Sequence, residues 1–453
     1  MASAPLRGVH FDLKGMPPTF ERLLGWIDLC ASLGFQFVLM EWEDAFPWTL
    51  DAGLRCETAY SADQVQAIHE HCRERGLQVI PLVQSLGHME TPLSLDRFAS
   101  LREIPYRSSG LNPLAPGARD LVLAMVDEVL AASPGVTHFH LGGDEAWTLG
   151  QHPDTAAFVK THGKAQLYWQ HVEPLLDHLL ARGVRPILWH DMMSSWEPDL
   201  LAKLAAKADL MFWVYERDPL GSTDDHFGKP ALDRFQQADV TLWGAGCFRG
   251  AGGSDRDLPN GDVLASNALA WTRVASQYDL HGIVATGWAR YATHQLQCEP
   301  FDGAMDSLAR VASILRDSVD SGVDRSIERL SELGERERFI ACRDALRELS
   351  VARDAGWRWL RSLHQLLVTM ADDPRRRSGC VEIEYAKLTR QAIARCERAG
   401  EAMAKAFDGM TDPIWVKRYL HERIAPLKEQ LATLQERGRS INPDAWDDFA
   451  RTA

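Results

Sequence analysis

The chain has 453 residues, 45% of them hydrophobic and 25% charged, the balance of a globular protein with a sizeable core. A formal net charge of −14 argues against a nucleic-acid binder, which needs clustered Lys and Arg to neutralise phosphates. No stretch reaches the roughly 18 consecutive apolar residues that cross a bilayer, and MASAPLRGVHFDLKG has no basic stretch ahead of an apolar core, so neither a membrane protein nor a signal peptide is expected.

In chain order, short apolar, β-branched or aromatic runs predict strands at 8–13, 35–43, 77–85, 137–143, 185–192, 209–216, 240–248 and 282–290. Helical spacing fills the gaps. In SADQVQAIHEHCRERG (61–76) Val65, Ile68 and Cys72 share one face and Gly76 ends the helix; LVLAMVDEVLAA (121–132) closes on Ser133-Pro134-Gly135. Strands alternating with helices imply a parallel sheet buried on both faces. Eight repeats suggest a closed (β/α)8 barrel over residues 1–303, since the turn after the first strand, Lys14-Gly15-Met16-Pro17-Pro18, is no dinucleotide fingerprint. From 304 to 453 the strand-like runs give way to charged amphipathic stretches (357–370, 385–407 and 415–438), read as a C-terminal helical domain with ADDPRRRSG (371–379) as a loop. That region offers a face for packing on the barrel or for a homodimer. The eight cysteines form no Cys-x-x-Cys pair, which reads as thiols of a reducing, cytoplasmic compartment.

Barrel chemistry sits where strands end. Those ends carry Asp12 and Lys14; Glu41, Glu43 and Asp44; Gln84 and His88; Asp144 and Glu145; His190 and Asp191; Tyr215 and Glu216; Trp288 and Arg290. Six tryptophans lie in or just beyond strands, and acids mixed with indoles suit a sugar, whose C–H faces stack while its hydroxyls need acceptors. The adjacent acids of THFHLGGDEAW (137–147) read blandly as an N-cap and a first-turn acid of the next helix. Two features favour a site instead: Gly142-Gly143 allows close backbone approach, and Trp147 supplies an apolar wall. A glutamate beside an aspartate and indoles should have its pKa pushed up, as a general acid near neutral pH requires. A metal centre of His88, His190 and Asp191 lacks any helix-borne ligand pair and is not expected.

His140-Leu141-Gly142-Gly143-Asp144-Glu145 resembles the His-x-Gly-Gly-Asp-Glu signature of glycoside hydrolase family 20, the β-N-acetylhexosaminidases, on the fourth barrel strand. VHFDLKGMPP (9–18), EWEDAFPW (41–48), VIPLVQSLGHME (79–90), LNP (111–113), LWHDM (188–192) and TGWARY (286–291) look closest to its hexosaminidase D branch. The resemblance, from about residue 7 to 300, implies an exo-acting enzyme that removes terminal β-linked GlcNAc or GalNAc from glycoconjugates or oligosaccharides. It implies a retaining, substrate-assisted mechanism with no cofactor and no metal. Carried over by position, Glu145 is the general acid and base, Asp144 holds the acetamido N–H, and Tyr215 bonds the acetamido oxygen. Trp189, Trp213 and Trp288 wall the sugar, Arg7 and Asp44 bind it, and His88 and His140 belong to the same site. Many family members end the eighth strand with Trp-x-Glu; here Trp288-Ala289-Arg290 moves that contact to Glu299 and leaves the epimer preference open. A catalytically silent sugar-binding protein on the same barrel and a metal-dependent hydrolase are the alternatives.

Overall fold

The computed structural model describes residues 4–252, 256–290, 295–373, 375 and 381–446. Among the described residues ten strands follow one another: β1 (Leu6–Asp12), β2 (Phe37–Glu41), β3 (Gln78–Leu82), β4 (Arg102–Ile104), β5 (Arg107–Leu111), β6 (His138–His140), β7 (Arg185–Trp189), β8 (Asp209–Trp213), β9 (Leu242–Arg249) and β10 (Gly282–Gly287). β4 and β5 form a small antiparallel hairpin, which the sequence reading passed over. The other eight close into a barrel, β1-β2-β3-β6-β7-β8-β9-β10, with β10 paired back onto β1. Every barrel pairing is parallel, so all eight C-terminal ends open on one face.

The barrel interior is filled by large side chains. Phe37, Leu39, Ile80, Leu82, Ile187, Trp189, Met211, Trp243 and Val284 form one buried cluster, with the Phe37 and Trp243 rings edge to face at 5.4 Å. The helices follow their local signals. Thr19 caps Phe20–Leu33 by accepting from the Arg22 N–H, and Gly34 ends it in the left-handed region. Ser61 and Gln64 make a reciprocal capping box at the start of Ala62–Glu74.

The chain divides into two compact units. The first comprises residues 1–255 and 259–336, the second 256–258 and 337–453. The expected boundary at 303 therefore falls two helices early. The helix Met305–Asp317 buries Leu308, Val311, Ile314 and Leu315 and packs on the helix Gly261–Tyr278 and on β9, β10 and β1. It is the eighth helix of the barrel repeat. Gly322–Glu332 follows it, and Arg22 binds both Asp302 (2.7 Å) and Glu335 (3.1 Å) within the same unit.

The second unit holds the long helices Arg336–Asp372, Val381–Ala406 and Pro413–Ile441, covering the three predicted segments. Its buried Asp257 accepts from Arg423 (2.5 Å) and the Tyr419 hydroxyl (2.5 Å) through one oxygen, and its other oxygen is ion-paired with Arg353 (2.7 Å). Most of the predicted 371–379 loop and Cys380 lie outside the described residues, as does Tyr291. No helix among the described residues is long and apolar enough to cross a membrane.

Candidate active site

The site grows from the turn after β6. Gly142 and Gly143 both take positive φ, at 58° and 83°. A Cβ on Gly142 would lie 1.9 Å from Gln84 Oε1, and one on Gly143 2.3 Å from the Tyr168 hydroxyl, so only glycine fits either place. The carbonyls of the turn are held from three sides. Ser85 Oγ donates to Leu141 O (2.6 Å), Trp189 N to Gly142 O (3.1 Å) and the Tyr168 hydroxyl to Gly143 O (2.9 Å). No helix begins at the acid pair; the next, Pro153–His162, starts after His152. The two carboxylates are therefore not capping groups.

Glu145 itself has φ 49°, a left-handed backbone that costs a non-glycine residue about 1–2 kcal/mol. Its N–H donates to Asp191 Oδ2 (2.9 Å), while Asp191 Oδ1 accepts from Trp213 Nε1 (3.4 Å). Burial, followed by the charge of Asp144, pushes Asp191 up to about 7. His88 Nε2 stands 3.3 Å from Asp144 Oδ2 and 3.3 Å from Glu145 Oε2. Burial opposes a charge on His88, but the carboxylates around it, Asp144 first, outweigh burial and hold the imidazolium well above its usual range. One cation thus bridges both acids. Asp144 Oδ1 is buried with no hydrogen-bond partner among the described residues.

Beside this pair is a cavity of about 370 Å³, within the roughly 300–1,000 Å³ range of small-molecule sites. Trp213, Tyr215 and Trp288 wall it, with Trp213 stacked on Tyr215 at 5.2 Å and Trp288 edge-on to Tyr215 at 6.1 Å. Burial, then the charge of Asp144, raises the Tyr215 phenol well above its usual value, so it stays a donor. Lys14 lines the cavity with its Nζ 2.9 Å from Asp12 Oδ2, 3.5 Å from Glu41 Oε1 and 5.6 Å from the Trp288 ring centre. His10 and Gln84 complete this floor by bonding Glu41 at 3.0 and 3.3 Å. Burial works against Lys14, but Asp12 and Glu41 keep its charge.

Of the residues singled out from sequence, Asp144, Glu145, Tyr215, His88, Trp213 and Trp288 line one cavity. His140 and Trp189 lie beneath it, both fully buried with ring centres 4.4 Å apart. His140 Nδ1 accepts the Gly142 N–H, and burial drops its pKa to about 3, so it supports the turn as a neutral ring. Asp44 stands off the lining, among the charges of Arg290, Asp12 and Lys14, and burial lifts it to about 6 against the pull of Arg290. Its Oδ1 is buried with no hydrogen-bond partner among the described residues.

Two assignments are corrected. Arg7 is the second residue of β1, paired with Ile283 at the start of β10, and its Nε donates to Gly34 O. Five residues at about 3.3 Å each separate it from the strand's C-terminal end, so it is at the wrong end of the barrel to touch the cavity. Glu299 is buried and accepts the Gly250 N–H (2.9 Å), while Arg249 donates to its carbonyl. It fastens the cavity wall near Gly250 and Cys298 and does not itself line the cavity.

Lys14, Gln84 and Asp191 stood among the strand-end residues, yet nothing in the pattern assigned them work. Gln295, Cys298, Gly250 and Ala251 also line the cavity. They come from loops whose return toward the barrel mouth leaves no periodic signal. His190 is no metal ligand here: Nδ1 accepts from Trp213 N (3.3 Å) and Nε2 bonds His226 O (2.9 Å). No group of three or more metal-binding side chains converges among the described residues.

The chain was compared with known proteins on this background. Residues 43–222 match the model of the glycosyl hydrolase family 20 catalytic domain. The chain is 34% identical over 316 residues to hexosaminidase D of Bos taurus, covering 67% of this chain and 90% of that protein. It is 32% identical over 351 residues to hexosaminidase D of Homo sapiens, covering 75% and 71%. Among solved structures it resembles a chitobiase of Flavobacterium johnsoniae (TM-score 0.55, 13% identity, 97% of this chain and 72% of that one). It also resembles a β-N-acetylhexosaminidase of Bacteroides fragilis (TM-score 0.54, 14% identity, 74% and 71%). At such identities the structural likeness speaks for the barrel alone, whereas the two curated relatives carry the family. The chain belongs to glycosyl hydrolase family 20 and is a glycoside hydrolase.

Proposed function

We propose that the chain is an exo-acting β-N-acetylhexosaminidase that releases terminal β-linked GlcNAc or GalNAc with retention, using the substrate's own acetamido group as nucleophile. The observation that carries this reading is the pairing of Glu145 with Asp144, whose Oδ1 is a buried acceptor without a donor among the described residues. Both acids approach the same His88 nitrogen, so they sit on one side of the cavity. An enzyme nucleophile would need a carboxylate across the ring from the acid.

In this mechanism the acetamido carbonyl oxygen attacks the anomeric carbon as the glycosidic C–O bond breaks. Glu145 gives its proton to the leaving oxygen. Asp144 accepts the acetamido N–H, and Tyr215 donates to the acetamido oxygen; together they hold the attacking group and stabilise the positive charge of the oxazolinium ion. Glu145, now a carboxylate, takes a proton from water as that water attacks the anomeric carbon and reopens the ring. Trp213 and Trp288 provide apolar walls for the acetyl group and the sugar face. Lys14, at the C-terminal end of β1, takes the hydroxyl-binding role that Arg7 is too distant to fill.

The test replaces the acetamido group of an aryl glycoside by trifluoroacetamido, which weakens the carbonyl nucleophile without changing the leaving group. kcat/KM is expected to fall steeply. An unchanged kcat/KM would refute participation of the substrate.

A further inference from the structure

We infer that Asp191 is a positioning residue that aims the general acid, by tying the backbone of Glu145 to the indole of Trp213. The inference rests on the reading of Glu145 given above. Three strand ends meet at this carboxylate: Asp191 follows β7, Glu145 follows β6, and Trp213 ends β8. Asp191 is 1% exposed, and its two oxygens face different donors, the Glu145 N–H at 2.9 Å and Trp213 Nε1 at 3.4 Å.

The first bond acts where the backbone has its least favourable conformation, at φ 49° of Glu145. Freed from it, the peptide before Glu145 can rotate toward ordinary φ, which swings the side chain away from the leaving oxygen. The second bond fastens the carboxylate to the Trp213 indole, which keeps its other oxygen on the Glu145 N–H. The carboxylate therefore anchors the Glu145 backbone, and with it the acid, to the neighbouring strand end. An aspartate does this where an asparagine does not. Both partners are N–H donors, and an amide turned either way points its own NH2 at one of them.

Asp191→Asn is assayed with two N-acetylhexosaminides, one with an activated dinitrophenyl leaving group and one with an unactivated alkyl leaving group. A misaimed acid matters only where the leaving oxygen needs a proton. kcat/KM is expected to drop by roughly 10- to 100-fold on the alkyl glycoside, the cost of about 1 Å of misplacement, and by less than about 3-fold on the dinitrophenyl glycoside. Asp191→Glu keeps the charge but moves both oxygens by one methylene, and should show the same split if Asp191→Asn does not fold. Equal losses on both substrates, or no loss on either, would overturn the inference. A wild type inactive on both would instead defeat the proposed function on which it rests.

Discussion

Glu103 provides a sharp test of how the segment after the acid pair is held. It lies in β4, is 1% exposed, and one of its oxygens, Oε1, accepts the N–H groups of Gly150 (2.8 Å), Gln151 (2.8 Å) and His152 (2.9 Å), along with the Thr155 hydroxyl. These donors lead into the helix Pro153–His162, whose N-terminal dipole also favours a negative charge. Glu103→Ala strips the acceptor from four donors at once. A bond to an ionised acceptor contributes about 1.5–3 kcal/mol, and water entering the vacated space recovers part of it, so the net loss is about 3–5 kcal/mol. Glu103→Gln keeps a carbonyl oxygen for the same donors but puts an NH2 where Oε2 has no partner, a loss of about 1–2 kcal/mol. Urea unfolding followed by circular dichroism gives both differences. A loss below about 1 kcal/mol for Glu103→Ala, or equal losses for the two variants, would refute this account of the segment.

Other outcomes follow from the same geometry. Arg7→Ala should leave KM and kcat within about 2-fold, since the residue is remote from the cavity; a KM raised tenfold would return it to the sugar site. Glu145→Gln should cut kcat/KM on an unactivated glycoside by at least about 100-fold with an unchanged melting curve, as expected when a general acid is removed. Glu43 is lifted to about 8, first by burial and then by Glu41 against the pull of Lys14. A carboxyl raised in the folded state keeps its proton where the unfolded chain has lost it, so its contribution to stability falls as pH rises from about 4 to 8. Relative to wild type, Glu43→Gln should therefore gain more than about 1 kcal/mol between pH 5 and pH 8, measured by denaturation at both.

The barrel was legible because each strand is a short apolar run between helical periods, and eight runs close the count. The acid pair was legible because Gly142 and Gly143 precede two adjacent carboxylates at a strand end. Arg7 misled because a motif match carries no strand direction: an arginine that starts β1 stands a strand's length from the mouth. The boundary at 303 misled because Met305–Asp317, the barrel's last helix, has the same charged amphipathic texture as the helices of the second unit. Glu299 was nominated to replace a missing contact, and the fold spends it on Gly250 N–H instead. The bonds that Asp191 and Glu103 accept from Glu145, Gly150, Gln151 and His152 were invisible in the chain, because those donors are backbone N–H groups 46 to 49 residues away, and backbone leaves no mark in side-chain patterns.

Initial rates on four aryl glycosides, the β-N-acetylglucosaminide, the β-N-acetylgalactosaminide, the β-glucoside and the β-galactoside, test the central claim most directly. Cleavage of one or both acetamido sugars with no turnover of the plain sugars is the predicted result, and the ratio of the first two reports the epimer preference. Comparable rates on the plain glycosides would contradict the account, because a sugar without an acetamido group has no nucleophile for Asp144 and Tyr215 to hold.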